Sequence, residues 1–408
     1  MRAPVGRAKE TLRVGIAGLG VASTQMLPPM EAFPGVQLTG AADPRTDALA
    51  AFERRYGGHG YQTVEELASD PNVDAIWVST PNQYHCEHVV TCAERGKHAV
   101  VEKPMALSIE ECERMVEAAE RNGTKLLCGH TQSFNPAIRA MHQVVASGEL
   151  GKLAAIHTWM STDWMLRPRM PGELDLALGG GVVYRQGPHQ VDTVRLLGGG
   201  MVRSVRAMTG QLMPERPAPG NYTAFLEFED GTPASIIYNG YGYFDTSEFM
   251  GGYGERHYSP EQRVEVRRQL RAHARDEVQA KEAMRFGGQL EGGFAHGSAE
   301  ASRRERLPGG GSFFGITVVT CERGAIRQTP PDGLLVYSDE GVREVPVSGQ
   351  NASRNSELKE LYDAVIEDRP VYHDGRWGMA TLEVCLAIMQ SARERRELLL
   401  THQSPTAH

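Results

Sequence analysis

The stretch Leu12-Arg13-Val14-Gly15-Ile16-Ala17-Gly18-Leu19-Gly20-Val21-Ala22-Ser23 decides how this chain is read. A strand-length, largely apolar segment runs into Gly18-x-Gly20 and then into residues of helical pattern. In that order, a G-x-G-x-x-(small) turn brings backbone N–H groups to a pyrophosphate at a helix N-terminus. Ser23 stands in place of the third glycine. Any tight turn also needs glycines, so the next strand carries the decision: Asp43 ends it 23 residues after Gly20. A carboxylate there accepts hydrogen bonds from an adenosine ribose and favours NAD over NADP. Gly18, Gly20, Val21 and Asp43 are therefore cofactor candidates. Arg45 has two readings, attraction of a 2′-phosphate or an exposed loop arginine.

Outward from this turn, short apolar runs alternate with segments of helical period, the sequence form of a parallel sheet. Strands are expected at Leu12–Ala17, Val36–Ala42, Ala75–Ser79, Ala99–Val101 and Lys125–Cys128, nearly continuous in apolar residues because such a sheet is buried on both faces. Ser108 with Glu111 forms a capping box, and the helix it opens stops at Gly123. Beyond residue 135 a helix at Pro136–Ala146 leads to strands at Leu153–Met160, Thr223–Phe228, Ser235–Asn239 and Gly315–Thr320. The expected architecture is α/β: an N-terminal Rossmann domain with a doubly wound parallel sheet over 11–133, then a C-terminal α+β domain over 134–400 with a large, mainly antiparallel sheet. Residues 250–312 read as an insertion or arm, with a helix capped by Ser259 and started by Pro260. Two late helices, 356–367 and 378–395, show apolar packing faces.

Composition narrows the function classes. The 408 residues carry 43 Lys plus Arg against 51 Asp plus Glu, a net charge of −8 that argues against a nucleic-acid partner. No run approaches the roughly 18 apolar residues of a membrane span, so no membrane partner is expected. The six cysteines contain no C-x-x-C pair and suit reduced thiols in a cytoplasm. His85, Cys86, Glu87 and His88 are metal-ligand types, but alternation at a helix start does not make a tetrahedral set, and no metal is expected.

Two more segments fall where strands of an open sheet end, the place where such sheets bind ligands. They are Ser79-Thr80-Pro81-Asn82-Gln83-Tyr84-His85 and Val101-Glu102-Lys103-Pro104. With the glycine turn, their order and spacing resemble the glucose-fructose oxidoreductase / inositol dehydrogenase / rhizopine catabolism family over nearly the whole chain. Gly96-Lys97-His98 followed by Glu102-Lys103-Pro104 is similar to its G-K-H-x-x-x-E-K-P signature. The resemblance implies a cofactor wall from Thr80, Pro81, Asn82, His85, Glu102 and Lys103, with Lys103 reaching the substrate oxygen beside the nicotinamide. It also implies a homo-oligomer, dimer or tetramer, built through the second sheet.

Removing hydride from an alcohol leaves a hydroxyl proton to be taken up, so the site needs a base near neutral pKa and a donor for the developing alkoxide. Beside the cationic nicotinamide, the charged form of Lys103 would be disfavoured. Gly179-Gly180-Gly181-Val-Val-Tyr184-Arg185-Gln186-Gly187-Pro188-His189-Gln-Val-Asp192 resembles the family's second motif, in which His189 matches the catalytic histidine. Arg185 stands where many members have an aspartate, and an i, i+4 step would put it on the helical face of His189. A planar cation in that position suits a carboxylate and points to a small anionic substrate. The alternative is an internal salt bridge, with a polyol as substrate. Further substrate candidates are Trp164 and Arg167 in the cluster Trp159–Arg169, then Tyr184 and His130.

Within the family, Arg185 in place of aspartate, the insertion at 250–312 and the segment from Phe313-Phe314-Gly315 to Cys321-Glu322-Arg323-Gly324 are similar to phthalate cis-dihydrodiol dehydrogenases. They imply NAD-dependent oxidation of a carboxylated aromatic cis-dihydrodiol to a ketone that tautomerises to a catechol. The rival expectations are a sugar, sugar-acid or inositol dehydrogenase, and a nucleotide-bound sensor without turnover.

Overall fold

The computed structural model describes residues 10–129, 132–252, 258–291, 314–330, 333–347 and 352–407. The candidate His130 and part of the expected insertion lie outside them. Leu12–Ala17 (β1), Val36–Ala42 (β2), His59–Tyr61 (β3), Ala75–Val78 (β4), His98–Glu102 (β5) and Leu126–Gly129 (β6) form a sheet of order β3-β2-β1-β4-β5-β6. All neighbours are parallel. The order reverses between β1 and β4, which opens a ligand crevice at their carboxyl ends. Helices Val21–Ala32 (α1), Thr46–Tyr56 (α2), Val64–Ser69 (α3), His85–Glu94 (α4) and Ile109–Asn122 (α5) complete this unit. The Ser108 cap accepts the Glu111 N–H and Gly123 stops α5 in the left-handed conformation, as the sequence suggests, but Glu111 Oε2 accepts the Leu107 N–H at 2.8 Å instead of that of Ser108, so only half of the expected capping box forms.

Pro136–Ala146 (α6) leads into the second unit, whose strands are Leu153–Ser161 (β7), Val202–Gly210 (β8), Asn221–Phe228 (β9), Pro233–Asn239 (β10), Ile316–Cys321 (β11), Gly324–Thr329 (β12), Gly333–Ser338 (β13), Gly341–Pro346 (β14) and Leu398–Leu399 (β15). Their order is β14-β13-β12-β11-β7-β10-β9-β8-β15, antiparallel except for the β7–β10 pair. Ile156, Leu226, Ile236 and Val319 turn to the buried face. That face is covered by helices Gly181–Arg185 (α7), Gly187–Leu197 (α8) and, late in the chain, Gly375–Glu394.

The insertion is more than an arm. Pro260–Arg271 (α9), capped by Ser259, and Glu277–Glu282 (α10), capped by Asp276, bring the chain back across the first unit. There Phe286 joins the cluster of Leu49 and Phe52 on α2, and Glu291 pairs with Arg55 at 2.9 Å. Ala352–Ile366 (α11) also returns to the parallel sheet, seating Leu358 and Leu361 beside Leu12 and Ile16. The last long helix, Gly375–Glu394, is α12.

Candidate active site

The glycine turn has the geometry a pyrophosphate requires. Gly18 has φ +90°, and a Cβ there would meet the Ser79 carbonyl oxygen at 2.8 Å, so neither conformation nor space admits a larger residue. Gly20 faces open space and caps α1 with no side chain, and the first turn of α1 holds no acidic residue. The positive end of α1 is thus left to an anionic ligand. Ser23 is buried, and its hydroxyl donates to the Gly20 carbonyl at 2.8 Å, which explains how a serine serves in place of the third glycine.

Asp43 sits at the end of β2 with Oδ2 accepting the Leu19 N–H at 2.8 Å. Arg45 is no exposed loop arginine: its Nε lies 3.0 Å from Asp43 Oδ1, and its Nη2 donates to the Leu19 carbonyl at 2.6 Å. The pair fixes the rim of the crevice at the end of β2. From this rim a cavity of about 810 Å³ runs past Thr80, Pro81 and Asn82 to Glu102, Lys103 and Arg185. Val21 and His85 line it as well.

Short polar contacts fasten its walls. The buried His85 ring lies between the Pro104 carbonyl at 3.0 Å and the Thr80 carbonyl at 2.8 Å, joining the loops after β4 and β5. Burial pushes its pKa down, while the two carbonyl acceptors oppose that shift by favouring the protonated ring. Asn82 donates to the Gly179 carbonyl at 3.1 Å, tying the first unit to the second. Glu102 receives the Trp77 indole N–H at 3.3 Å and faces Arg354 of α11 at 3.7 Å.

Lys103 donates to the carbonyl of Arg185 at 3.0 Å, which brings it to the junction of α7 and α8. The expected single helix through Arg185 and His189 is in fact two. It breaks at Gln186 because Pro188 has no N–H to donate and its ring would clash with the carbonyl of Tyr184. His189 therefore does not share one continuous helical face with Arg185. Its half-buried ring packs on Phe314, with centroids 4.7 Å apart.

Three other candidates have interior partners. Trp164 is buried beneath Arg169, whose guanidinium stands 3.6 Å from the ring centroid. Arg167 is buried in an ion pair with Asp163 at 3.0 Å. Tyr184 is buried and donates to the Leu107 carbonyl at 3.3 Å. They hold the walls up rather than line the cavity.

Sequence reasoning passed over Glu173 and Lys281. The Glu173 carboxylate is buried, with Lys281 Nζ at 3.0 Å, Arg169 Nη1 at 3.3 Å and Arg185 Nη1 at 3.6 Å. Its Oε2 accepts the Met170 N–H at 2.8 Å. Burial alone would raise its pKa, but Lys281, Arg169 and Arg185 hold it well below the usual carboxylate range. Burial lowers the Lys281 ammonium to about 8, with Arg169 and Arg185 acting the same way and Glu173 opposing them. The only signal for Glu173 was its i, i+4 spacing from Arg169. For Lys281, 108 residues away, there was none.

A glycine-turn crevice at the switch point of a parallel sheet, leading to a lysine and a buried cationic group, defines a dinucleotide-binding oxidoreductase. Comparison with known proteins agrees. A model described as the oxidoreductase family with NAD-binding Rossmann fold matches residues 12–130, and the GFO/IDH/MocA C-terminal domain matches residues 138–257. The chain is 33% identical over 389 residues, 94% of its length and 95% of the relative's, to 1-carboxy-3-chloro-3,4-dihydroxycyclo hexa-1,5-diene dehydrogenase of Comamonas testosteroni. It is 28% identical to myo-inositol 2-dehydrogenase of Thermotoga maritima over 60% of this chain and 74% of that one. A solved structure described as a dehydrogenase from Bordetella bronchiseptica RB50 superposes with TM-score 0.85 at 37% identity, covering 96% of this chain and all of that one. The protein belongs to the GFO/IDH/MocA family of NAD-binding oxidoreductases.

Proposed function

We propose that the protein oxidises a carboxylated cyclohexadiene cis-diol to a ketone that tautomerises to a catechol. The open cradle at Gly18 and Gly20 and the rim at Asp43 fit NAD, which supplies the hydride acceptor when bound. Lys103, at the substrate end, stabilises the developing alkoxide, and His189 takes up the hydroxyl proton. Arg185 holds the substrate's carboxylate. The observation that supports this reading is charge. At the end of the cavity three cations, Arg169, Arg185 and Lys281, gather within 3.6 Å of the Glu173 carboxylate, an electropositive setting suited to an anionic substrate. The name of the Comamonas relative, a dehydrogenase of a carboxylated cyclohexadiene diol, agrees in chemical class.

A second reading rests on the Arg185–Glu173 contact: an arginine already paired inside the protein leaves the site to a neutral polyol such as inositol. Both readings are tested by following the absorbance of the reduced cofactor with carboxylated and uncharged cis-dihydrodiols, inositols and sugar acids. Preference for the carboxylated diols supports the first. Turnover of inositols alone supports the second, and no turnover with NAD present favours a sensor.

A further inference from the structure

The residues 258–291 of the insertion bridge the two units of the molecule. They leave the second sheet through α9, place α10 against the loop that carries Glu173, and dock Phe286 on α2 of the first unit. The second unit fixes α10 at its N-terminal end: Glu277 pairs with Arg216 at 2.9 Å and accepts the Arg169 N–H at 2.8 Å. So held at both ends, α10 delivers Lys281 to the cavity wall beside Arg185, where both cations reach Glu173 Oε1. Glu173 thus holds two cavity-lining cations side by side, with the buried Arg169 behind them.

We propose that Lys281 is a specificity-determining residue, the second anchor of the substrate's carboxylate. Glu173 pre-positions Lys281 and Arg185 so that an incoming carboxylate meets an ammonium and a planar guanidinium together. The anchor rests on the reading that the substrate is anionic. It differs from the Arg185 contact because it comes from a segment outside the glycine turn, the E-K-P loop and the α7–α8 motif. The chain therefore selects charged over uncharged diols through its insertion, while hydride removal is left to groups of the other elements. Preorganisation favours this arrangement, since a buried lysine already oriented by Glu173 loses little further freedom on meeting the ligand.

The test compares carboxylated and uncharged cis-dihydrodiols in the wild type, Lys281→Met and Lys281→Arg. A lost charge-assisted hydrogen bond should lower the ratio of kcat/KM for the carboxylated over the uncharged diol at least about tenfold in Lys281→Met. The loss should fall on KM, and Lys281→Arg should recover most of the ratio. A loss shared equally by both diols, or no loss, would overturn the anchor and leave Lys281 a strut of the insertion. If the wild type turns over neither diol, the dihydrodiol reading fails separately. The anchor is then read by titrating benzoate into the NADH-bound enzyme by calorimetry. Benzoate binding weakened at least about tenfold by Lys281→Met and recovered in Lys281→Arg supports it. Equal benzoate binding, or none in the wild type, overturns it.

Discussion

Replacing Glu173 by Gln tests the charge group without changing its shape. Gln keeps an oxygen for the Met170 N–H at 2.8 Å but removes the one carboxylate shared by Lys281, Arg169 and Arg185 at 3.0, 3.3 and 3.6 Å. At these separations each pair interacts by about 5 kcal/mol with an effective dielectric constant near 20, before desolvation and the repulsion among the three cations are subtracted. Removing one member of a buried pair costs about 3–5 kcal/mol in practice. Arg169 is buried and cannot turn to solvent. With about 2–4 °C lost per kcal/mol for a unit of this size, the transition of the second unit should fall by about 6–20 °C at pH 7.

The sign with pH follows from Glu173 being held below the usual carboxylate range. Its stabilisation is complete above the ordinary glutamate value of about 4.3 and is lost as pH falls below it, so the difference between wild type and variant should narrow in acid. Thermal unfolding followed by circular dichroism reads both. Added sulfate should return part of the loss by supplying the missing negative charge. A variant within about 2 °C of wild type at pH 7 would refute the claim that three cations depend on this carboxylate.

How much of this was legible depends on what each residue depends on. β1 and β2 fall where the sequence puts them, because a strand buried on both faces is written in its own apolar run. β3, only His59-Gly60-Tyr61 at the half-exposed edge, has no such run and is set by its pairing with β2. The break between α7 and α8 was readable: Pro188 forbids the step that the i, i+4 rule assumes. Arg167 was readable as a buried pair too, since Asp163 lies four residues before it. The meeting of Lys281 with Glu173 was not, for no local pattern reports a contact made by folding an insertion back across two units. In the cavity, then, the wall around the glycine turn is local and legible, whereas the wall at Glu173 and Lys281 is assembled from distant segments.

The remaining predictions address chemistry, cofactor, assembly and pH. Lys103→Ala and His189→Ala should each lower kcat by about 100-fold or more with NAD affinity nearly kept, and near-normal kcat in both would remove their roles. Asp43→Ala should weaken NAD and narrow its advantage over NADP, because it removes the ribose acceptor and releases Arg45 from its 3.0 Å pair; equal loss for both cofactors would contradict the ribose assignment. The open face of the second sheet carries Trp159, Phe225 and Ile237, 37%, 52% and 36% exposed, and we propose that it joins copies of the chain: the wild type should then scatter light as an oligomer and Phe225→Glu with Ile237→Glu as a smaller species, whereas a monomeric wild type or an unchanged mass would exclude this contact. The last concerns Lys281, lowered to about 8 in the free protein by burial, with Arg169 and Arg185 adding to the shift and Glu173 resisting it. Its charge is present below about 8, so kcat/KM for a carboxylated diol should fall as pH rises through that value. Stability moves oppositely: the folded state disfavours the charged lysine, and folding gains between about 8 and the ordinary value near 10.4 as the unfolded chain alone stays protonated. Falling affinity with rising or steady melting temperature separates this from general alkaline unfolding, which would lower both. Lys281→Arg should erase the alkaline limb, and a limb that persists there with the same midpoint would assign it to another group.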